Sequence, residues 1–249
     1  MANSIRTDDI SYDNFQRSNR SQESQMKCSK RLKVQKLLRK GTTEIRNTVN
    51  HGIQFRNLNA EGAKHFAQVL KYDNSLKWVN LYESRVCDRG AKDLAEMLKV
   101  NGSLKKMNLF GNNISAEGAK WLAEALTVNC SLEYINLGCN NIGDKGAKYL
   151  ANMLKWNKSL KEINLLKNNI ETEGAKYLAE ALISNTSLEY IYLSENNFGD
   201  NGSHFFAEAF KRNKSLKDVY LKGSMNEEAA ILVQQAWELN RRRAGRSIV

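Results

Sequence analysis

The sequence predicts an α/β solenoid in which one short strand and one helix alternate along the chain, strands lining a concave face and helices a convex one. Three observations predict it. Glycine recurs at Gly62, Gly90, Gly118, Gly146, Gly174 and Gly202, each 28 residues after the last. Self-similarity at a period of this size marks stacked supersecondary units that share one core. In Ser131-Leu132-Glu133-Tyr134-Ile135-Asn136-Leu137 the residues Leu132, Ile135 and Leu137 turn inward and those between them turn outward, as on a strand. After the glycine, Ala147, Leu150, Ala151 and Leu154 have the spacing of one buried helical stripe.

In chain order, residues 1–26 are polar, rich in Ser, Asn, Gln and Arg and nearly without apolar side chains, a composition that predicts disorder. Residues 27–47 read as a basic N-terminal capping helix: Val34, Leu37 and Leu38 recur at i, i+3 and i+4, and Ile45 falls near the same side. Residues 48–240 hold about seven units, the ends degenerate. The first runs from Thr48 to Asn74, with Thr48 and His51 at leucine-type positions. Five regular units begin at Ser75, Ser103, Ser131, Ser159 and Ser187. The last begins at Ser215 and loses the pattern after Leu221; its helix, Glu227 to Asn240, matches with about two residues deleted. Residues 241–249 are a basic tail.

Inside a unit, Asn140 follows the strand, where an amide can satisfy backbone groups left open by the turn. Its equivalents are Asn112, Asn168 and Asn196, with Ser84 and Ser224 as departures. Asp88, Asp144, Thr172 and Asp200 share a column just before the helix and are expected to be N-caps. Gly146 and its equivalents are expected to let helix and strand layers approach closely. The strand and turn together read L-x-x-L-x-L-x-x-N-x-I. This pattern resembles the leucine-rich repeat family. The 28-residue length, with a full helix after the asparagine, is similar to the ribonuclease-inhibitor-like subclass found in NOD-like receptors, tropomodulins and Ran GTPase-activating proteins. The resemblance covers residues 48 to about 240 and implies a right-handed horseshoe that serves as a platform for partners, not a single activity.

The formal net charge of +11 is confined to two places. Residues 27–40 contain Lys27, Lys30, Arg31, Lys33, Lys36, Arg39 and Lys40 without an acid, and residues 241–249 contain four arginines without an acid. The solenoid itself is therefore close to neutral, so any nucleic-acid or anionic-membrane contact is expected at the tails alone. The tract Lys30, Arg31, Lys33, Lys36, Arg39 and Lys40 has two readings: the solvated face of a capping helix, or a targeting or polyanion-binding segment. No apolar run has the length of a membrane span, and the first thirty residues lack a signal-peptide apolar stretch. Cys28, Cys87, Cys130 and Cys139 show no shared spacing, so free thiols in a reducing compartment are expected. A cytoplasmic chain follows, with a nuclear location if Lys30-Arg31-Leu32-Lys33 acts as an import signal. Ser247-Ile248-Val249 fits a PDZ-binding carboxyl terminus, though three residues match by chance more often than by function.

No catalytic constellation is legible. His51, His65 and His204 lack metal-ligand spacing, and Gly111 to Lys120 has too many residues between its glycines for a phosphate loop. Neither an enzyme nor a cofactor is expected. The outward strand columns are more informative. One reads Trp78, Lys106, Tyr134, Glu162, Tyr190, Asp218; the next Asn80, Asn108, Asn136, Asn164, Tyr192, Tyr220; the third Tyr82, Phe110, Gly138, Leu166, Ser194, Lys222. Trp78, Tyr82, Phe110, Tyr134, Tyr190, Tyr192 and Tyr220 are thus expected on the concave face as a protein-binding strip, since exposed Trp and Tyr favour hot spots. The competing reading is packing across adjacent strands. Trp121, Tyr149 and Tyr177 share a helix column and are expected to cover the convex layer. A non-enzymatic scaffold or regulator that binds a protein partner is the leading function. Ran-type GTPase activation, tropomodulin-like actin capping and basic-tail adaptor roles are alternatives. The terminal arginines count against the first of these, because such activators typically carry an acidic C-terminal region.

Overall fold

The computed structural model describes residues 44–46 and 52–243. Eight strands form one sheet in chain order: β1 (Glu44–Arg46), β2 (Gly52–Arg56), β3 (Trp78–Asn80), β4 (Lys106–Asn108), β5 (Tyr134–Asn136), β6 (Glu162–Asn164), β7 (Tyr190–Tyr192) and β8 (Asp218–Tyr220). Each strand from β2 onward is followed by a helix: α1 (Ala60–Leu70), α2 (Cys87–Leu98), α3 (Ala116–Val128), α4 (Gly143–Trp156), α5 (Thr172–Ser184), α6 (Gly199–Arg212) and α7 (Glu227–Arg243). From β2 to β8 all neighbours are parallel. Adjacent strands sit about 4.8 Å apart, whereas packed helices need about 8–10 Å. A stack of such units must bend, and the strands take the inside of the curve.

The core is columnar. Leu132, Ile135 and Leu137 from the strand segment, Ile142 from the turn, and Ala147, Leu150, Ala151, Met153 and Leu154 from α4 are all buried. Fully burying one such large side chain contributes about 1.5–3 kcal/mol, and each unit repeats the set. The turn asparagines act as the sequence predicts. Asn140 donates to the carbonyls of Leu109, Leu137 and Gly138, and its Oδ1 accepts the N–H groups of Asn112 and Ile114 in the preceding unit. Ser224 does the same work at the last unit, accepting from Asn196 N–H and donating to Leu193 O. A second asparagine column stands where helix returns to strand. Asn129 Nδ2 donates to Leu98 O and Asn101 O, while its Oδ1 accepts from Ser131 N–H and Leu132 N–H. Asn101, Asn157 and Asn213 repeat this pattern at positions set by the 28-residue period, and Asn185 repeats it with Ser187 Oγ in place of the second carbonyl.

The helix starts differ from expectation. Asp88 and Asp144 lie inside the first turns of α2 and α4, whose N-cap residues Val86 and Ile142 make no side-chain cap bond. Each carboxylate instead reaches the next unit: Asp88 accepts from Ser115 N–H and Gly118 N–H at the start of α3, and Asp144 from Glu171 N–H before α5. Thr172 opens α5 and donates to Phe198 O. No cap bond to its own helix is made by Asp200, which also sits within the first turn of α6. The recurring glycine is explained by the turn residue four positions before it together with the neighbouring helix. A Cβ on Gly146 would stand 3.2 Å from Ala116 Cα and from Ala119 Cβ of the preceding helix, and 2.4 Å from Ile142 Cγ2.

Both ends depart from the 28-residue frame. Ile53 pairs with Val79, and Phe55 lies buried two positions on, where Leu81 follows β3. Ile53 and Phe55 therefore occupy inward positions; Thr48 and His51 lie outside the described residues. Two residues are missing from the turn between Phe55 and Leu58, so the strand slides by one pleat period while Gly62 keeps its place. Residues 44–46, placed by sequence at the end of a capping helix, form β1, antiparallel to β2 with Glu44 opposite Arg56. The rest of the basic tract and residues 1–43 lie outside the described residues. At the other end α7 begins at Glu227 as expected, with Asn226 Oδ1 accepting from Ala229 N–H. It continues to Arg243, so the first three residues assigned to the tail are helical. Asn240, inside α7, donates to Phe210 O and Asn213 O and closes the second asparagine column one residue early.

Candidate protein-binding face

The aromatic strip separates into groups with different geometry. Tyr82 and Phe110 stack at 5.0 Å with an interplanar angle of 9°. Phe110 also lies against Gly138, where a Cβ would come within 2.9 Å of Cδ2. Tyr192 and Tyr220 stack at 4.5 Å and 3°. Tyr134 and Tyr190 flank Glu162 in register on β5, β6 and β7. Trp78 stands apart: its indole covers Gly52 so closely that a Cβ there would sit 1.6 Å from Cε2. Tyr82 and Tyr220 are exposed, and the other five are half-buried. Stacking across adjacent strands and exposure to solvent thus coexist, each stacked pair contributing about 0.5–1.5 kcal/mol beyond its area.

The outward asparagines explain how these rings are presented. Oδ1 of Asn80, Asn108, Asn136 and Asn164 accepts the N–H two residues on, at Tyr82, Phe110, Gly138 and Leu166. Each amide holds the bend that turns the third column outward. At β7 and β8 the asparagine is replaced by Tyr192 and Tyr220, and the rings take its place on the face.

The C-terminal half of the face is also where its titration is perturbed. Burial, then the Glu162 charge and hydrogen bonding, push the Tyr192 phenol up to about 12. Burial raises Tyr134, with Glu162 adding to it and a hydrogen bond with Asn136 opposing it. Tyr220 is raised by burial and then by Asp218. Glu162 and Asp218 were visible in the sequence as members of the first outward column, but nothing in a list of columns marks their place among four tyrosines.

On the convex side Trp121, Tyr149 and Tyr177 are half-buried. Lys92 lies over Trp121 at 4.7 Å and Lys148 over Tyr177 at 5.0 Å, contacts that tie adjacent helices together. A stripe absent from the sequence reading runs along the helix C-terminal ends: Tyr72, Val100, Val128 and Trp156 are 75%, 48%, 60% and 74% exposed. Its signal was present, because the four positions are 28 residues apart. Cys87, Cys130 and Cys139 are unbridged. Among the described residues no group of three His, Cys, Asp or Glu is placed to hold a metal ion, and no helix is long and apolar enough to cross a membrane. Lys30, Arg31, Lys33, Lys36, Arg39, Lys40 and the Ser247-Ile248-Val249 terminus lie outside the described residues.

A leucine-rich repeat family model matches residues 100–123, 128–151, 157–179 and 184–202. The four matched stretches are successive units of the sheet from β4 to β7, and the same parallel ladder continues outward to β2 and β8. The solved structures similar to this chain include these two. One, titled as actin-binding site 2 of leiomodin-1, is 24% identical with a TM-score of 0.51, covering 60% of this chain and 88% of that one. The other, a Caenorhabditis elegans tropomodulin C-terminal domain, is 22% identical with a TM-score of 0.53, covering 62% of this chain and 95% of that one. Both are likenesses of fold. No curated protein matches the sequence.

Proposed function

We propose that this chain is a non-enzymatic interaction scaffold or regulator whose leucine-rich repeats, of the ribonuclease-inhibitor-like kind, hold a protein partner on the concave face. The observation that carries this reading is the pair of ring stacks on an open sheet face, Tyr82 with Phe110 and Tyr192 with Tyr220. Aromatic side chains fixed by stacking lose little conformational freedom on binding and offer large contact area, which is why such residues dominate interfaces. Trp78, half-buried over Gly52, joins them as a rim.

The test is capture of partners from a lysate by the intact chain and by a Trp78→Ala, Tyr82→Ala, Phe110→Ala variant shown by circular dichroism to be folded. A partner lost by the variant supports the strip. Equal capture removes it and turns attention to the convex helices. Purified actin is the first partner to add, by cosedimentation, because one of the structures similar in fold is titled as an actin-binding site. A GTPase stimulation assay separates the scaffold from a Ran-type activator.

A further inference from the structure

The strand column that crosses the C-terminal half of the face alternates ring and carboxylate. Tyr134, Glu162, Tyr190 and Asp218 are opposite one another on β5 to β8. At about 4.8 Å per strand the two carboxylates are about 10 Å apart, with Tyr190 between them. The stacked Tyr192 and Tyr220 rings run alongside in the next column. Both acids are half-buried, and among the described residues neither forms an ion pair. Just before the strands the situation is opposite: Glu133 pairs with Lys105 at 2.7 Å and Glu189 with Lys217 at 2.5 Å. The same outward column carries Trp78 and the cation Lys106 at its N-terminal end, so charge in this column changes sign along the solenoid.

We infer that Tyr134, Glu162, Tyr190, Asp218 and the Tyr192–Tyr220 stack form a docking site for a lysine- or arginine-bearing segment of the protein partner. This rests on the scaffold reading and gives the partner its chemistry. The carboxylates supply the counter-charge, and the ring faces between and beside them attract a desolvated ammonium or guanidinium. A guanidinium placed over Tyr190 stands within reach of both acids, which suits arginine better than the compact lysine charge. An acidic segment would meet two carboxylates and is excluded.

The experiment titrates the full-length chain, by calorimetry, with short all-arginine, all-lysine and all-glutamate peptides. It compares the unaltered protein with Glu162→Gln/Asp218→Asn and with Tyr72→Ala/Trp156→Ala, a change of two exposed side chains at the helix C-terminal ends. Binding of the arginine peptide, weakened about tenfold or more by Glu162→Gln/Asp218→Asn and unchanged by Tyr72→Ala/Trp156→Ala, is the expected result. Glu162→Gln and Asp218→Asn keep shape on a solvated face, and circular dichroism confirms the fold. Absence of binding, preference for the glutamate peptide, or equal weakening by both variants overturns the assignment. So does concentration-dependent self-association lost in Glu162→Gln/Asp218→Asn, which would seat the basic tract of a second copy there. A partner captured from lysate by Glu162→Gln/Asp218→Asn but lost by the Trp78→Ala, Tyr82→Ala, Phe110→Ala variant leaves the scaffold reading standing without this site.

Discussion

Asp88 caps a helix that is not its own: its Oδ1 accepts the N–H of Gly118, thirty residues away, at 3.0 Å, and also that of Ser115 at 2.7 Å. The first N–H groups of α3 have no partner within their helix, and a carboxylate is the side chain best suited to them. The cap also explains the glycine. A Cβ on Gly118 would stand 2.4 Å from that oxygen and 2.7 Å from Ile114 Cγ2. Asp88→Ala should lower stability by about 1–2 kcal/mol. Gly118→Ala, a change that in an open helix interior stabilises by about 0.5–1 kcal/mol, should instead cost about 1–3 kcal/mol by overpacking. Gly102→Ala, with nothing within 4 Å of the new Cβ, is the matched control. Thermal unfolding of the three variants decides it: a stabilised Gly118→Ala would sink the cap.

The helix-to-strand turns depend on Asn129 and its equivalents in the same way, one amide serving two backbone donors and two carbonyls. Asn129 is 5% exposed, so water cannot replace what Ala would remove. Each buried group left unpaired costs about 1–3 kcal/mol. Asn129→Ala should therefore lose about 3 kcal/mol or more in urea denaturation, far above Asn74→Ala, whose side chain is exposed. Asp73, which offers acceptors only, opens the column by accepting from Ser75 N–H and Leu76 N–H.

These two cases show where sequence reading ends. The 28-residue period makes every column legible, so the buried Leu132, Ile135 and Leu137, the exposed rings and the role of Asn140 follow without coordinates. A period names columns but not which neighbour a side chain serves. Asp88 was therefore assigned to α2, though its oxygen lies at the start of α3. The repeated Asn-x-Ser turns were seen as consensus, yet their bonds to carbonyls 28 and 31 residues earlier depend on how units stack. On the candidate face the rings were legible by alternation. The stacking of Tyr192 on Tyr220, and the place of Glu162 between Tyr134 and Tyr190 as acceptor of a hydrogen bond from Tyr192, depend on side-chain packing that columns do not encode.

Glu162 should also be visible in the alkaline titration. Tyr192 loses its proton at about 12 in the fold, against the ordinary value of 10.0. Between those values the unfolded chain holds fewer protons than the folded one, so stability falls as pH rises. The contribution of neutral Tyr192 is complete below pH 10 and is lost as pH climbs through 12. An absorbance titration of tyrosinate should show a late-ionising class that includes Tyr192, and Tyr192→Phe should shrink it. Glu162→Gln should move it only part of the way back, because burial is the larger cause. Complete return to the ordinary value would transfer the effect from burial to charge.

The first repeat offers the sharpest contrast between period and packing. Counting back 28 residues from Glu83, which is exposed, lands on Phe55. On that count Phe55 faces solvent, and Phe55→Ala would change stability by no more than about 0.5 kcal/mol. The sheet says otherwise. Ile53 pairs with Val79, so Phe55 takes the inward position of Leu81, fully buried, its ring 4.8 Å from that of Phe66 at 73°. Phe55→Ala should then cost about 3–5 kcal/mol, the range for emptying a buried aromatic site. Because Phe55 and Phe66 fill one space, a double cycle with Phe66→Leu should be non-additive. A destabilisation below about 0.5 kcal/mol would restore the 28-residue register to the first strand.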